Sequence, residues 1–171
     1  MTCLVDASHS LHRAYFADKT RDWKNVTYLF MKSLIVGMEG TKQKFDKVFV
    51  VWDKGKCMYR CAIYEDYKAN RPKTEEHYDI ARMFLHRYLP NIGMTSILVG
   101  GIEGDDIANI LSSINKESFL ISDDKDWKLM IKPKSTLYRS ASKEILTWDD
   151  MVKEFGDDPI KACLLYKSPH G

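Results

Sequence analysis

Val48-Phe49-Val50-Val51-Trp52-Asp53 is apolar at every position until it ends on an acid. A strand that is apolar throughout buries both faces, as a central strand does in a parallel sheet covered on both sides. The same pattern recurs on either side of it. Upstream, residues 2–5 form a short apolar strand that ends on Asp6. Downstream, Thr95–Val99 reads as a strand and Gly100–Gly101 as a turn. Glu103, Asp105 and Asp106 then stand at the mouth of an amphipathic helix, with Ile107, Ile110, Leu111 and Ile114 at helical spacing. Phe119–Ser122 is another short strand, running into Asp123, Asp124 and Asp126.

Helices are expected between the strands. Ala7–Ala17 reads as a turn into a helix, and Val26–Met38 as a core helix on Val26, Leu29, Phe30, Leu34 and Met38. Thr74–Leu89 is a helix with Thr74 as N-cap, an apolar face of Ile80, Phe84 and Tyr88, and Pro90 as its stop. Trp127–Ile131 starts a helix that Pro133 ends. Thr136–Arg139 and Glu144–Leu146 form a small hairpin. Thr147 and Asp150 fit a capping box, and Pro159 opens a last helix over Ile160–Tyr166. Strands alternating with helices predict an α/β fold with a central, mostly parallel sheet flanked by helices.

A chain of 171 residues, 44% hydrophobic and 29% charged, is expected to form a single domain over residues 1–171. The net charge of +2 does not by itself predict nucleic-acid binding. No apolar run approaches the roughly 18 residues of a membrane span. The N-terminus runs straight into Cys3-Leu4-Val5-Asp6, so no leader and a cytoplasmic location are expected. Cys57 and Cys61 have no histidine nearby to complete a zinc pattern, and the four cysteines are assigned no chemistry.

One acid after a strand is commonly a cap or turn residue. Here Asp6, Asp53, Glu103 with Asp105, and Asp124 follow four separate strands. In an open parallel sheet these junctions share one edge, where ligand crevices form. Carboxylates gathered there repel one another unless a cation is bound. Oxygen donors without a convincing His/Cys set suit Mg²⁺ or Mn²⁺ rather than zinc. A nest for two such ions about 4 Å apart is the machinery of phosphodiester hydrolysis.

Residues 54–73 are basic. Lys54, Lys56, Arg60, Lys68, Arg71 and Lys73 face only Glu65 and Asp66, and Tyr59, Tyr64 and Tyr67 are interleaved. Alone this reads equally well as a solvated charged loop. Directly after Asp53 it reads as a clamp, in which cations meet phosphates and tyrosines stack on unpaired bases.

These residues together resemble the 5′ nuclease superfamily: phage 5′–3′ exonucleases, flap endonucleases and the N-terminal nuclease domain of bacterial DNA polymerase I. Leu4-Val5-Asp6 and Val50-Val51-Trp52-Asp53 look like its first two acid motifs. Tyr59-Arg60 and Tyr67-Lys68-Ala69-Asn70-Arg71-Pro72 are similar to its arch segment. Gly101-Ile102-Glu103-Gly104-Asp105-Asp106 resembles the Glu-Ala-Asp-Asp motif, with Gly104 in place of alanine, and Ile121-Ser122-Asp123-Asp124-Lys125-Asp126 the fourth motif.

The resemblance implies a PIN-like fold in which residues 54–73 are a basic arch. It implies a divalent-metal-dependent 5′–3′ exonuclease or 5′ flap endonuclease that leaves 5′-phosphate and 3′-hydroxyl ends on DNA. It places a first metal on Asp6, Asp53, Glu103 and Asp105, with Asp106 nearby, and a second on Asp124 and Asp126. Lys54, Lys56, Arg60, Tyr67, Lys68 and Arg71 would contact DNA.

Family members continue into a Gly-Asp…Asp-Asn motif and a helix–turn–helix unit, whereas this sequence stops at Gly171. The second metal site is therefore expected to be incomplete, with a second polypeptide supplying the rest. The alternatives are a non-catalytic DNA-binding or partner-docking remnant of a nuclease fold, and a small PIN-type ribonuclease.

Overall fold

The computed structural model describes residues 1–55, 57–67, 69, 74–156 and 158. Among these, six strands form one sheet in the order β3-β2-β1-β4-β5-β6. The strands are β1 (Thr2–Asp6), β2 (Lys47–Trp52), β3 (Thr95–Leu98), β4 (Ser118–Ile121), β5 (Ser135–Arg139) and β6 (Glu144–Leu146). The first five pair in parallel, and β6 closes the edge antiparallel to β5. As the apolar run 48–52 predicts, β2 is parallel to a neighbour on each side.

Side chains alternate across the sheet, so each strand feeds two cores. Cys3, Val5, Val50, Trp52, Phe119 and Ile121 face one core, shared with α1 (Ala7–Ala17), α2 (Trp23–Gly40) and α4 (Glu76–Tyr88). Leu4, Val51, Leu120 and Leu137 face the other, shared with α5 (Gly104–Ile114), a 3-10 turn over Lys125–Met130 and α6 (Trp148–Phe155). The order turns at β1, whose neighbours are β2 and β4. In sheets of this kind such a reversal marks the carboxyl edge between β1 and β4 as the place where ligands bind.

Several elements differ from expectation. Ala7–Ala17 is helical from its first residue, because Asp6 itself caps it. Residues 18–22 are the loop, and α2 starts three residues earlier than expected, on Asp22 as N-cap. The basic segment contains a short helix, α3 (Met58–Ile63), with no buried residue. Glu75, not Thr74, precedes α4, without a side-chain cap bond. Pro90 does not stop the chain's winding. It sits early in a 3-10 turn over Leu89–Ile92, where its missing N–H costs nothing. The buried face of α4 is Tyr78, Ala81 and Leu85, while Ile80, Phe84 and Tyr88 are exposed. In α5, Ile107 is buried and Leu111 half-buried, but Ile110 and Ile114 are exposed. The hairpin and the Thr147–Asp150 capping box form as predicted. The expected helix over 160–166 lies outside the described residues. Cys3, Cys57 and Cys61 are free thiols. No helix among the described residues is long and apolar enough to cross a membrane.

Candidate active site

Asp6 ends β1 and caps α1, and is 5% exposed. Its Oδ1 accepts the His9 N–H at 2.9 Å and its Oδ2 accepts the Ser122 hydroxyl at 2.6 Å. Burial pushes its pKa up to about 8. The two hydrogen bonds oppose that rise, and the like charges of Asp105 and Asp124 add to it. Ser122 follows β4 and also accepts the Asp124 N–H at 3.0 Å. One serine thus ties the acids from β1 and β4 together at that edge.

Asp53 follows β2. Its Oδ1 accepts the Gly104 N–H at 2.6 Å, so it reaches the first turn of α5. A Cβ on residue 104 would stand 3.2 Å from that oxygen, a tight contact that the glycine relieves. The N–H of Asp53 donates to Ser8 Oγ at 2.6 Å, and its carbonyl accepts Arg82 Nη1 at 3.2 Å.

Glu103 caps α5 by position and is 7% exposed. Asp105 lies in the first turn of α5, where its Oδ1 accepts Trp127 Nε1 at 2.7 Å. Burial raises Asp105 to about 6, against the Trp127 bond and with the charges of Asp53, Asp124 and Glu103. Asp105 therefore feels Glu103 beside it and the acids of two other strand ends. The structure brings Asp6, Asp53, Glu103, Asp105 and Asp124 together at one edge. Asp106 stands to the side, in a forked pair with Arg60 at 2.9 Å on each arm. Asp126 is exposed, and its N–H donates to Asp124 Oδ1 at 3.0 Å, the cap bond of the 3-10 turn. Asp123 turns away and accepts Arg13, Ser140 Oγ and Ala141 N–H, which anchors the β5–β6 hairpin.

The described part of the basic segment packs against the acids. Arg60 donates to Glu103 Oε2 at 2.6 Å as well as to Asp106, and the Tyr67 hydroxyl meets Glu103 Oε2 at 3.3 Å. Both residues, expected to contact DNA, face the acids here, where Glu103 and Asp106 offer Arg60 charge-assisted hydrogen bonds. Lys54 is exposed beside Asp53. Lys56, Lys68 and Arg71 lie outside the described residues.

His9 is the residue that composition alone passes over. One ligand atom each from Asp6, His9 and Asp124 lie within 4.8 Å of one another. A cap followed three residues later by a side chain that folds back is the local signal that finds it. A nest of oxygen donors whose proton affinity is raised by burial and like charge fits a divalent cation.

Residues 1–156 match the family model described as "5′-3′ exonuclease, N-terminal resolvase-like domain". The 5′-3′ exonuclease of Buchnera aphidicola (subsp. Schizaphis graminum) is 25% identical over 165 residues, covering 91% of this chain and 57% of that protein. The 5′-3′ exonuclease of Aquifex aeolicus is 25% identical over 167 residues, covering 92% of this chain and 57% of that protein. The chain thus spans somewhat more than half the length of these relatives. Among solved structures, T5 5′-exonuclease with bound zinc superposes with a TM-score of 0.65 at 18% identity, covering 94% of this chain and 63% of that one. The catalytic core of Rad2 in complex with DNA substrate superposes with a TM-score of 0.59 at 17% identity, covering 92% and 49%. At these identities the superpositions establish the shared fold.

Proposed function

The chain belongs to the family of 5′-3′ exonuclease N-terminal resolvase-like domains, and from that premise we propose that it hydrolyses DNA phosphodiester bonds at 5′ ends and 5′ flaps. Residues 1–171 act as one nuclease domain, with 54–73 as its arch. The observation that carries this reading is the convergence of acids from four strand ends on one sheet edge, across the switch in strand order.

Asp6, Asp53, Glu103, Asp105 and Asp124 would hold divalent cations, Mg²⁺ or Mn²⁺, with Asp106 and Asp126 at the margin. Such ions, once bound, supply an acidified water and neutralise charge on the scissile phosphate. The protein's own residues prepare the place. Ser122 fixes Asp6 against Asp124, Trp127 orients Asp105, and Gly104 orients Asp53. Asp6 and Asp105 give up their protons in exchange for the cation. Arg60 already sits among the acids, and a phosphate arriving beside a bound cation competes with Glu103 and Asp106 for it. Lys54, Lys56, Lys68 and Arg71 extend the same positive charge along the substrate strand, and Tyr67 stacks on a base. The products carry a 5′-phosphate and a 3′-hydroxyl.

The test is cleavage of a labelled 5′-flap DNA duplex by this chain with Mg²⁺ or Mn²⁺, beside Asp124→Asn and an RNA duplex of the same sequence. Metal-dependent cutting of DNA that the variant loses supports the reading. Preferential cutting of RNA would replace it with the PIN-type ribonuclease. Metal and DNA binding without turnover would favour a domain completed by a second polypeptide. DNA binding that is indifferent to metal and to Asp124→Asn would leave a non-catalytic DNA-binding module.

A further inference from the structure

The strand-end acids do not exhaust the donors at this edge. His9 is the third residue of α1, and its N–H donates to Asp6 Oδ1 at 2.9 Å. That places the His9 side chain where a capping-box side chain turns back over its cap. A ring nitrogen of His9 consequently lies within 4.8 Å of carboxylate oxygens of both Asp6 and Asp124. Ligand atoms about 2.0–2.3 Å from a shared ion stand up to roughly 4.5 Å apart, so small side-chain rotations close the set.

We propose that His9 is a metal ligand, and that Asp6, His9 and Asp124 form a mixed nitrogen–oxygen site that selects Mn²⁺ over Mg²⁺. The inference rests on the metal-dependent reading above and deepens it.

Three observations support it. Ser122 holds the two acids in place from outside the set, donating to Asp6 Oδ2 and accepting the Asp124 N–H. Each Asp6 oxygen spends one lone pair on those bonds and keeps another, since a carboxylate has about four acceptor sites. The site lies at the carboxyl edge between β1 and β4, where the strand order turns and where ligands of such sheets bind. His12, one turn on, is committed elsewhere, with its ring 4.7 Å from that of Tyr78. Imidazole suits the later divalent metals, and affinity at a nitrogen-containing site rises from Mn²⁺ onward. Mg²⁺ prefers oxygen and keeps its waters.

The experiment uses the full chain with Mn²⁺ as the probe. Pulsed electron spin resonance of the Mn²⁺-loaded protein reads nitrogen modulation from a coordinated imidazole. Titration calorimetry reads Mn²⁺ and Mg²⁺ affinities for the wild type and His9→Gln. Modulation present in the wild type and lost in His9→Gln is expected. With it should come a loss of about tenfold in Mn²⁺ affinity, at a nearly unchanged Mg²⁺ affinity. Mn²⁺ bound without nitrogen modulation, or modulation that survives in His9→Gln, overturns the assignment of His9 and leaves the metal reading intact. No Mn²⁺ or Mg²⁺ binding by the wild type overturns both. If the variant fails to fold, the wild-type spectrum still refutes the assignment when Mn²⁺ is bound without nitrogen modulation, since no histidine is then a ligand.

Discussion

Asp53 is positioned from three directions: Ser8 holds its N–H, Gly104 holds its carboxylate, and Arg82 holds its carbonyl. Arg82 comes from α4, 29 residues away, and also meets Asp79 Oδ1 at 2.7 Å. Its Nε is buried with no hydrogen-bond partner among the described residues. Arg82 is therefore a positioning residue. Replacing it with Lys keeps the charge but loses the planar fork. The expected loss is about 1.5–3 kcal/mol of stability, together with weaker Mn²⁺ binding by the folded protein. Thermal melts and a Mn²⁺ titration below the melting range check both. If the melt shifts while Mn²⁺ affinity stays at the wild-type value, Arg82 serves only the fold.

The loop between β3 and α5 carries Glu103 and leads into Asp105, and α3 braces it. Gly101 adopts φ 81° and its carbonyl accepts the Met58 N–H at 3.1 Å. A Cβ there would stand 2.9 Å from Met58 Sδ. Gly93 has φ 86° with open space around it. Gly93→Ala should thus cost only the left-handed backbone, about 1–2 kcal/mol, and Gly101→Ala should cost more. Adding Met58→Ala to Gly101→Ala should recover the difference. Equal shifts in melting temperature for the two single variants would show that α3 does not brace the loop. The same region shows what the sequence makes legible. Acids at strand ends are visible because a strand's end fixes where the next residue points. The burial of α4 and α5 is not, because apolar size points to the wrong helix faces. The structure buries Ala81 on α4, and Gly104, Ala108 and Ser112 on α5. Small residues let a helix backbone lie close to its neighbours, while Phe84 packs outward on Trp23 at 5.3 Å between ring centres. The partners that orient the acids escape notice for another reason. Ser122 lies 116 residues from Asp6, and Trp127 lies 22 from Asp105. Only the pairing of β1 with β4 and the packing of the turn after β4 bring them near.

At the scale of the whole molecule, the acidic edge opposes folding. Asp6 is raised to about 8 and Asp105 to about 6, both chiefly by burial. The unfolded chain releases these protons near pH 4, so between there and pH 8 the folded state binds more protons than the unfolded one. Stability then falls as pH rises through that window. Asp18 works in the opposite sense, lowered to about 2 despite its desolvation by hydrogen bonds from Thr20, Asn25 and Asp22. Its contribution is lost only as pH falls from about 4 toward 2, below the window that Asp6 and Asp105 control. In chelator, the melting temperature is expected to fall from pH 5 to pH 8. Mg²⁺ or Mn²⁺ binds the deprotonated acids of the folded state alone, so saturating cation should raise the melting temperature more at pH 8 than at pH 5. Cation binding near pH 7 should release protons, measurable as a buffer-dependent heat. Asp6→Asn removes the higher of the two pKa values, and should flatten the fall in chelator above pH 6 while weakening the cation's effect. A melting temperature that rises from pH 5 to pH 8 without metal would mean that the acids are not held protonated by the fold. Their convergence would then be no demand for a cation.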